Sequence, residues 1–387
     1  MSSFEDSLKG DTGYSVRIYN LAKGLAELGN TVYVIIPSRN VAVEKMNNFF
    51  VYKIQGFLPK KMLYFFARLI GIAKPTTLTF YDLFFVFRIH NLICDADIVQ
   101  IEQQTAGGFL LPIVAKIWKK PVVIDCHDVF QSLMVKHTSR VRRVLETFIE
   151  MLVYKLASLI LTVSEKEKKI LASYEISEEK IKVTPNGVNT ERFANLHVDL
   201  KNVKRKYGLE NCRVVVFVGN MEYSPNKEAV KLIAAKIAPI VCSELSNVKF
   251  LIVGRYIEKI NSPNLIFTGS VKNIVEPLVI SDVAIAPLSR GSGTRLKVLE
   301  YLACGLPVIS TTKGVEGLNL KNGNNVIIKD DISEFAKSII ELLKNPGLAE
   351  KLRKKARRSV MDYDWGKISA QLHETYEEFL RKKSCRY

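Results

Sequence analysis

The stretch from Ala284 to Ser310 constrains the fold of this chain more than any other part of the sequence. It reads AIAPLSRGSGTRLKVLEYLACGLPVIS: an apolar run, a glycine loop, a segment with leucines at helical spacing, and a second apolar run. Short apolar runs of this kind are typical of strands buried on both faces. Gly305 and Pro307 form a helix stop signal. The stretch therefore predicts a βαβ unit.

The loop of this unit carries side chains suited to a phosphorylated, hydroxyl-rich ligand. Gly291 and Gly293 allow a tight turn, and Ser292 or Thr294 is predicted to cap the helix, whose free N–H groups attract anions. Three cations and one carboxylate that could accept from sugar hydroxyls surround this helix start: Arg290, Arg295, Lys297 and Glu300. The loop lacks the third glycine of the dinucleotide fingerprint, and the chain has no P-loop motif.

A plain structural interpretation of the same residues stays open. The glycines could serve only the turn, Lys297 and Glu300 could form a surface pair at i, i+3, and Arg295 could be solvated. The residues of the loop alone do not choose between this interpretation and a ligand site.

A resemblance favours the ligand site. The segment GSGTRLKVLEYLACGLPVISTTKGVEGL resembles the donor-site segment of the retaining family 4 glycosyltransferases. These enzymes have two Rossmann-like domains facing across a cleft, the GT-B fold, and use nucleotide-activated sugars. Most members place two glutamates in this segment. Glu300 matches the second, whereas Ser292 stands where the first is usual, so the sugar-hydroxyl role of that first glutamate is not carried over.

Two further stretches resemble the same family. His127 and Asp128 follow the apolar run PVVID, and in the family an H-D at this place contacts the donor sugar. On the residues alone, a lone histidine is more often structural. The run VTPNGVNTERF, residues 183–193, matches the segment that closes the first domain of the family and lines the cleft.

The resemblance implies a role for each candidate site residue. Arg295, Lys297 and Lys227 are expected to bind the diphosphate, Glu300 to bind ribose or sugar hydroxyls, and His127 to contact the donor sugar. The remaining nucleotide-sugar contacts are expected at Gly13, Gly219, Asn220, Arg255, Gly291, Ser292, Gly293 and Thr294. The common family version has an arginine directly after the glycine that Gly219 matches, where this chain has Asn220. No metal and no cofactor are expected, because the nucleotide sugar is a substrate.

The predicted fold class is α/β, with two Rossmann-like domains in the GT-B arrangement. The N-terminal acceptor domain is predicted at residues 1–193, with a C-terminal helix, 366–387, packing back onto it. A linker is predicted at 194–207 and the nucleotide-sugar donor domain at 208–365. A chain of 387 residues is long enough for two such domains.

The N-terminus departs from the family pattern. A glycine loop at residues 10–13 leads directly into a predicted helix, whereas the family has an apolar strand before this loop. Residues 1–9, MSSFEDSLK, are too polar to supply a strand buried between helices. The sequence therefore predicts that the first, central strand of the N-terminal sheet is missing.

The charge of the chain indicates an acidic partner. The formal net charge is +17, which suits anionic lipid headgroups, nucleic acid or phosphorylated substrates. No nucleic-acid-binding signature occurs, so a lipid surface is preferred. Residues 49–94 mix aromatic and basic side chains, which is typical of helices lying on a membrane and also of a buried helical pair.

The predicted location is the cytoplasm. The six cysteines form no C-x-x-C pair, and the sequence shows neither a signal peptide nor a long uninterrupted apolar run. Peripheral contact with the inner membrane surface stays open.

The predicted function is transfer of a sugar from a nucleotide diphosphate donor to a hydroxyl acceptor, with retention of configuration, in glycolipid, polysaccharide or other glycan synthesis. No carboxylate pair of the glycosidase kind is required for it. Two alternatives stay open. One is a non-catalytic relative that binds a sugar nucleotide or glycan, which Ser292 and Asn220 would support, and the other is a sugar-nucleotide epimerase on the same fold.

Overall fold

A computed structural model gives the structure of the protein. It describes residues 13–38, 41–55, 88–102, 110–127, 129, 140–194, 198–255, 260, 262–291 and 293–384. These residues form two compact units. The N-unit comprises the described residues up to Pro185 together with those from Ser369 onward, and the C-unit runs from Asn186 to Ile368.

The N-unit alternates helices and strands. Its elements are α1 (Gly13–Glu27), β1 (Val32–Ser38), β2 (Ala42–Met46), β3 (Phe49–Gln55), α2 (His90–Asp95), β4 (Val99–Glu102), α3 (Leu110–Ile117), β5 (Val122–Cys126), α4 (Arg140–Leu156), β6 (Leu159–Thr162), α5 (Glu165–Ser173), a 3₁₀ turn (Glu178–Lys180) and β7 (Ile181–Val183). Ser164 caps α5, and its hydroxyl accepts from the Glu167 N–H.

Within the described residues, the strands of the N-unit form two sheets. The first has the order β1-β3-β2, with β1 parallel and β2 antiparallel to β3. The second is parallel throughout, in the order β4-β5-β6-β7. Every residue of β5 and β6 is buried, as expected for parallel strands covered on both faces. The predicted absence of a central first strand concerns residues 1–12, which lie outside the described residues.

The C-unit repeats this alternation. Its elements are α6 (Glu191–Ala194), α7 (Leu200–Lys206), β8 (Arg213–Val218), α8 (Ser224–Leu232), a π-helical segment (Ile233–Ile237), α9 (Ala238–Glu244), β9 (Val248–Val253), β10 (Leu265–Gly269), α10 (Val275–Val279), β11 (Val283–Ala286), α11 (Leu296–Ala303), β12 (Val308–Ser310), β13 (Ile327–Ile328), α12 (Ile332–Lys344), α13 (Pro346–Val360), a 3₁₀ turn (Met361–Tyr363) and α14 (Trp365–Ser384), whose residues from Ser369 onward belong to the N-unit.

The C-unit has one parallel sheet of six strands, in the order β10-β9-β8-β11-β12-β13. Successive residues of β8 enter different cores: Val214 and Val216 pack in one cluster, and Val215 and Phe217 in the other. This alternation follows from the two-residue period of a strand and gives the sheet two buried faces. The predicted βαβ unit is present, with β11 and β12 paired from Ala284 to Ala286.

The predicted linker, 194–207, differs from the structure. The division between the units falls after Pro185, and the residues that follow pack in the C-unit. Phe193 and Val203 are buried in its core, and the Val188 N–H donates to the Tyr363 carbonyl. The polar composition of this run favoured a linker, but Val203 is buried in the core and Val198 and Tyr207 pack against it.

The helix that follows β8 is interrupted by a wider turn. It begins with α8 at Ser224, with Pro225 in the first turn, where a missing N–H costs nothing. The π-helical segment then interrupts it, with the Ala238 N–H bonded to the Ile233 carbonyl. Pro239 lies just beyond and cannot donate to a carbonyl one α-turn back, which favours the wider turn.

None of the helices in the described part of the chain has the length and apolarity to span a bilayer. Most of the aromatic and basic stretch at 49–94 lies outside the described residues.

Candidate functional site

The loop between β11 and α11 has a backbone that favours glycine. Gly291 has a φ of +117° and Gly293 a φ of +70°. A Cβ atom on Gly291 would lie 2.7 Å from the Tyr223 hydroxyl and 2.9 Å from Arg295 Nη2. The loop backbone therefore approaches both side chains more closely than any residue with a side chain would allow.

The prediction that Ser292 or Thr294 caps α11 is not met at Thr294, and Ser292 lies outside the described residues. Arg295, whose side chain has no acceptor atom, occupies the N-cap position. The Thr294 hydroxyl instead accepts a hydrogen bond of 2.6 Å from the Asn186 side-chain amide. The start of α11 is thus tied to the PNGV segment, and its first N–H groups keep their positive partial charge.

The two arginines of this loop occupy different surroundings. Arg295 is buried, with 7% of its surface exposed. Arg290 is exposed, forms an ion pair with Glu228 of α8, and also donates to the Ser224 hydroxyl at 2.5 Å. Arg290 therefore serves the contact between the loop and α8, and Arg295 is the arginine enclosed beside the glycines.

Lys297 is held away from a simple surface pair with Glu300. Its Nζ donates to Asn226 Oδ1 at 2.6 Å and lies 4.4 Å from the centroid of the Phe217 ring. Although part of the side chain reaches solvent, desolvation of the ammonium and the nearby Arg295 lower the pKa of Lys297 to about 7, against an opposing effect of Glu300. Lys297 can thus exchange a proton near neutral pH.

The pKa of Glu300 is shifted in the opposite direction from that of Lys297. Desolvation raises the pKa of its carboxyl to about 7, while Arg192 and Lys297 oppose the rise. Arg192 belongs to α6 and donates to the Asn273 side chain at 3.2 Å. Near neutral pH, Glu300 can therefore either donate or accept a hydrogen bond through its carboxyl oxygens.

The candidate residues that follow β8 and β9 divide into two groups, one beside Lys297 and one beside Glu222. Gly219 touches the site, since a Cβ there would lie 2.8 Å from Asn226 Nδ2 and 2.9 Å from Lys297 Nζ. The side chain of Asn220 accepts from the Glu222 N–H, and Arg255 lies exposed, 3.3 Å from Glu222. The structure thus joins the Asn220 and Arg255 side chains to Glu222.

Lys227 lies in the first turn of α8, directly after Asn226, and its backbone N–H donates to the Tyr223 carbonyl. Lys227 therefore belongs to the start of α8, as Asn226 does.

His127 lies in the N-unit, at the carboxyl end of β5. Its Nε2 is 2.8 Å from Glu102 Oε2 and 3.9 Å from Asp125 Oδ2. The ring of Tyr14, the residue after Gly13 at the start of α1, has its centroid 4.5 Å from that of the imidazole. His127 is buried, so its orientation is fixed by these neighbours.

A chain of hydrogen bonds leads from α14 to His127. The Tyr376 hydroxyl donates to Gln100 Oε1 at 2.5 Å, and Gln100 Nε2 donates to Glu102 Oε1 at 2.8 Å. Glu102 then bonds the imidazole through its other oxygen. Desolvation, together with Asp125, raises the pKa of Glu102, while its bonds to His127 and Gln100 act in the opposite direction.

Arg17 and Asp125 form an ion pair that is not exposed to solvent, and Asp125 lies 3.9 Å from His127. Arg17 donates from Nε and Nη2 to the two oxygens of Asp125, each at 2.9 Å. Its Nη1 donates to the Pro185 carbonyl, also at 2.9 Å. Burial alone would raise the pKa of Asp125, but the Arg17 guanidinium and His127 together outweigh it and hold that pKa below its usual value.

The donor atoms of Glu102, Asp125 and His127 lie within 4.8 Å of one another, which is close enough for all three to reach one metal ion. Both oxygens of Asp125 accept from Arg17, and the two oxygens of Glu102 bond Gln100 and His127. These carboxylates are engaged with protein donors, and the set fits an ion-pair network better than a metal ion.

Sequence reasoning missed several residues that meet the site residues: Glu102, Asn186, Arg192, Tyr223 and Asn226. Asn186 and Arg192 lie inside the run VTPNGVNTERF, and Glu102 directly follows the apolar run ADIVQI, residues 96–101, so a signal for these three was present. Tyr223 and Asn226 carry no such signal.

The chain is similar to known proteins over most of its length. A family model described as Glycosyltransferase Family 4 matches residues 12–192, and one described as Glycosyl transferases group 1 matches residues 212–345. The alpha-monoglucosyldiacylglycerol synthase of Acholeplasma laidlawii is 26% identical over 382 residues, which are 91% of this chain and 90% of that protein.

A shorter match is with an uncharacterized 44.6 kDa protein in the cps region of Klebsiella pneumoniae, 31% identical over 153 residues. It spans 36% of this chain and 39% of that protein. Among solved structures, Anabaena HepE in complex with UDP and glucose matches with a TM-score of 0.71 at 14% identity, covering 95% of this chain and 96% of its own. At this identity the likeness concerns the fold.

Proposed function

The chain belongs to the group 1, family 4 glycosyltransferases and has their two-domain α/β fold, and from this premise we propose that it transfers a sugar from a nucleoside diphosphate to a hydroxyl acceptor. Retention of the anomeric configuration is part of the proposal. HepE was solved with UDP and glucose, so UDP is the diphosphate we propose first.

The observation that carries the proposal is the pair of cations beside the glycine loop. Arg295 is enclosed at the N-cap of α11, and Lys297 follows in its first turn, next to Gly219. When the bond between sugar and diphosphate breaks, negative charge develops on the departing phosphate. Fixed cations and the start of a helix in a poorly solvated place stabilise such a charge.

The remaining roles follow from hydrogen-bonding capacity. Glu300, with a carboxyl whose pKa is raised to about 7, can bond ribose or sugar hydroxyls. His127, oriented by Glu102, is proposed to contact the donor sugar. The glycine backbone at Gly291 and Gly293 leaves room for the diphosphate. Lys227 is proposed as a further cation for it.

The test is donor consumption by the purified protein. UDP-sugars are incubated with lipid and saccharide acceptors, and the products are separated by mass. Free UDP together with a glycosylated acceptor is expected. An altered sugar still attached to UDP would identify an epimerase instead, and binding without turnover would identify a non-catalytic relative. Either outcome refutes the proposed transfer.

We further propose a lipid acceptor and contact with an anionic membrane surface. The net charge of +17 supports this, as does the apolar surface of α4, where Val144 and Phe148 are 64% and 65% exposed. Residues four apart share one helix face. The relative in Acholeplasma laidlawii is named for a diacylglycerol product, which supports a lipid acceptor here.

Vesicle co-sedimentation tests the membrane proposal. We expect binding to vesicles that contain anionic lipid at low salt, and loss of that binding in Val144→Ser/Phe148→Ser. Ile117→Ser is the matched control, since Ile117 is 70% exposed on another helix and should not affect binding. Binding that is indifferent to anionic lipid and to salt would contradict the electrostatic part of the proposal.

A further inference from the structure

Asn226 joins two parts of the candidate donor site and has no role in the assignments above. The residue lies in the first turn of α8 and is 7% exposed. Its Oδ1 accepts from Lys297 Nζ at 2.6 Å, and its Nδ2 donates to the Asn220 carbonyl at 2.8 Å. Both ends of the amide are therefore engaged, one with the cation and one with the turn that follows β8.

We propose that Asn226 is a positioning residue, which holds the Lys297 amine beside Gly219 so that it takes up a proton and pairs with the diphosphate when the nucleotide binds. The inference rests on the proposed function, since it assumes a diphosphate ligand. In this proposal α8 contributes to diphosphate binding by positioning the lysine that α11 carries.

The space around the Lys297 amine supports a fixed position. A Cβ on Gly219 would lie 2.9 Å from Nζ and 2.8 Å from Asn226 Nδ2, so the glycine leaves room for both groups. The Phe217 ring faces the amine at 4.4 Å and supplies a further attraction for a cation. The bond to Asn226 and the contact with the ring together restrict the position of the amine.

The charges around Lys297 explain why an amide suits this position. The charged groups that act on it are Arg295 and Glu300, both near α11, whereas α8 offers the uncharged Asn226 and β8 the Phe217 ring. An amide oxygen accepts from an amine in either protonation state. It therefore orients Lys297 without adding the negative charge that would keep it protonated.

The affinity for a diphosphate should depend on pH and should fall as pH rises. Desolvation and Arg295 lower the pKa of Lys297 to about 7 in the unliganded protein, and a bound diphosphate would raise it. Below pH 7 the amine is already charged and binding takes up no proton. Above it, binding must protonate Lys297, so affinity falls by up to about tenfold per pH unit until the pKa of the complex is reached.

The experiment is calorimetric titration with a nucleoside diphosphate between about pH 7 and about pH 9.5, where the terminal phosphate, with a second pKa of about 6, is ionised. Of UDP, GDP and ADP, the one that raises the melting temperature most is the probe. For the wild type we expect weaker binding as pH rises, and proton uptake seen as a difference between two buffers of unequal ionisation enthalpy.

Three variants separate positioning from structure. Lys297→Met should bind weakly and lose the pH slope. Asn226→Asp places a carboxylate beside the amine, which should keep Lys297 charged and flatten the slope in the lower half of this pH range. Asn324→Asp is the matched control, because the Asn324 side chain also accepts from a lysine, Lys355, at 2.6 Å but on the exposed surface.

Each result decides the inference. Wild-type binding without proton uptake overturns it, as does an Asn226→Asp variant with the wild-type slope, and in both cases the proposed function stands. If the aspartate variant does not fold, the wild-type proton uptake and its loss in Lys297→Met decide the question. Absence of binding by all three diphosphates rejects the proposed function and this inference together.

Discussion

Replacing Arg17 by methionine should destabilise the protein by about 3–5 kcal/mol at neutral pH. Arg17 and Asp125 form an ion pair in which both side chains have 0% exposure. The substitution keeps most of the apolar volume of Arg17 but leaves the Asp125 carboxylate buried without a cation. That uncompensated charge, rather than lost contact area, is the main cause of the expected loss.

The magnitude follows from the hydrogen bonds that the guanidinium makes with other described residues. Two go to Asp125 and one to the Pro185 carbonyl, each at 2.9 Å. A double variant, Arg17→Met/Asp125→Leu, removes the charge as well, and exchanging a buried ion pair for apolar residues is often neutral. Among the partners described above, the Pro185 carbonyl then lacks its donor, which costs about 1–3 kcal/mol. The double variant should therefore be more stable than the single one.

The loss should also depend on pH. In the wild type, Arg17 holds the pKa of Asp125 below its usual value, so the stabilising effect is present above the unfolded pKa of about 3.9 and is lost as pH falls through the folded pKa. In Arg17→Met, burial acts without the cation and raises the pKa of Asp125. The penalty should therefore be largest at neutral pH and shrink as the solution is acidified and Asp125 becomes protonated.

Urea unfolding of the wild type and variants at several pH values measures these free energies. Lys344→Met is the control, since Lys344 and Glu244 form an exposed pair that is worth at most about 1 kcal/mol. A loss in Arg17→Met no larger than in the control, or a double variant as unstable as the single one, would refute the account of the buried charge.

Further predictions concern both units. Arg295→Met should lower turnover by about 10²–10³-fold with a smaller effect on stability, whereas Arg290→Met should leave most turnover intact; equal effects in steady-state assays would place the developing charge elsewhere. Tyr376→Phe leaves Gln100 without its donor and should cost about 1–3 kcal/mol in urea unfolding, and an unchanged midpoint would show that the bond contributes nothing. Gly291→Ala, at a φ of +117°, should weaken nucleotide diphosphate binding in calorimetry without preventing folding. Wild-type affinity in that variant would mean that the loop backbone does not approach the ligand.

The sequence was sufficient to predict the βαβ unit around α11. Its strands are continuous apolar runs, its helix has leucines at helical spacing, and Gly305 and Pro307 stop the helix. Such local signals determine which segments become strands and helices, and the structure follows them from β11 to β12. The two-unit α/β fold followed from the repetition of the same pattern.

The side-chain partners within the site could not be predicted, because they come from distant parts of the chain. Thr294 does not cap α11 since its hydroxyl is bonded to Asn186, 108 positions earlier in the sequence. Lys297 is turned from Glu300, its neighbour on the helix, toward Asn226, 71 positions earlier. Spacing within one helix could not indicate Asn226 as a partner of Lys297, because tertiary packing brings these two residues together.

The π-helical segment Ile233–Ile237 sets the rotational phase between the two halves of the helix that carries Asn226. Its wider turn holds one residue more than an α-turn, and each residue of a helix rotates the direction of a side chain by about 100°. Beyond the segment, α9 packs against α12. Deleting one residue from the segment would restore an uninterrupted α-helical screw, keep α9 seated, and rotate Asn226 by about 100° away from Lys297. The length of this helix, counted to the single residue, therefore decides whether the amide and the amine meet.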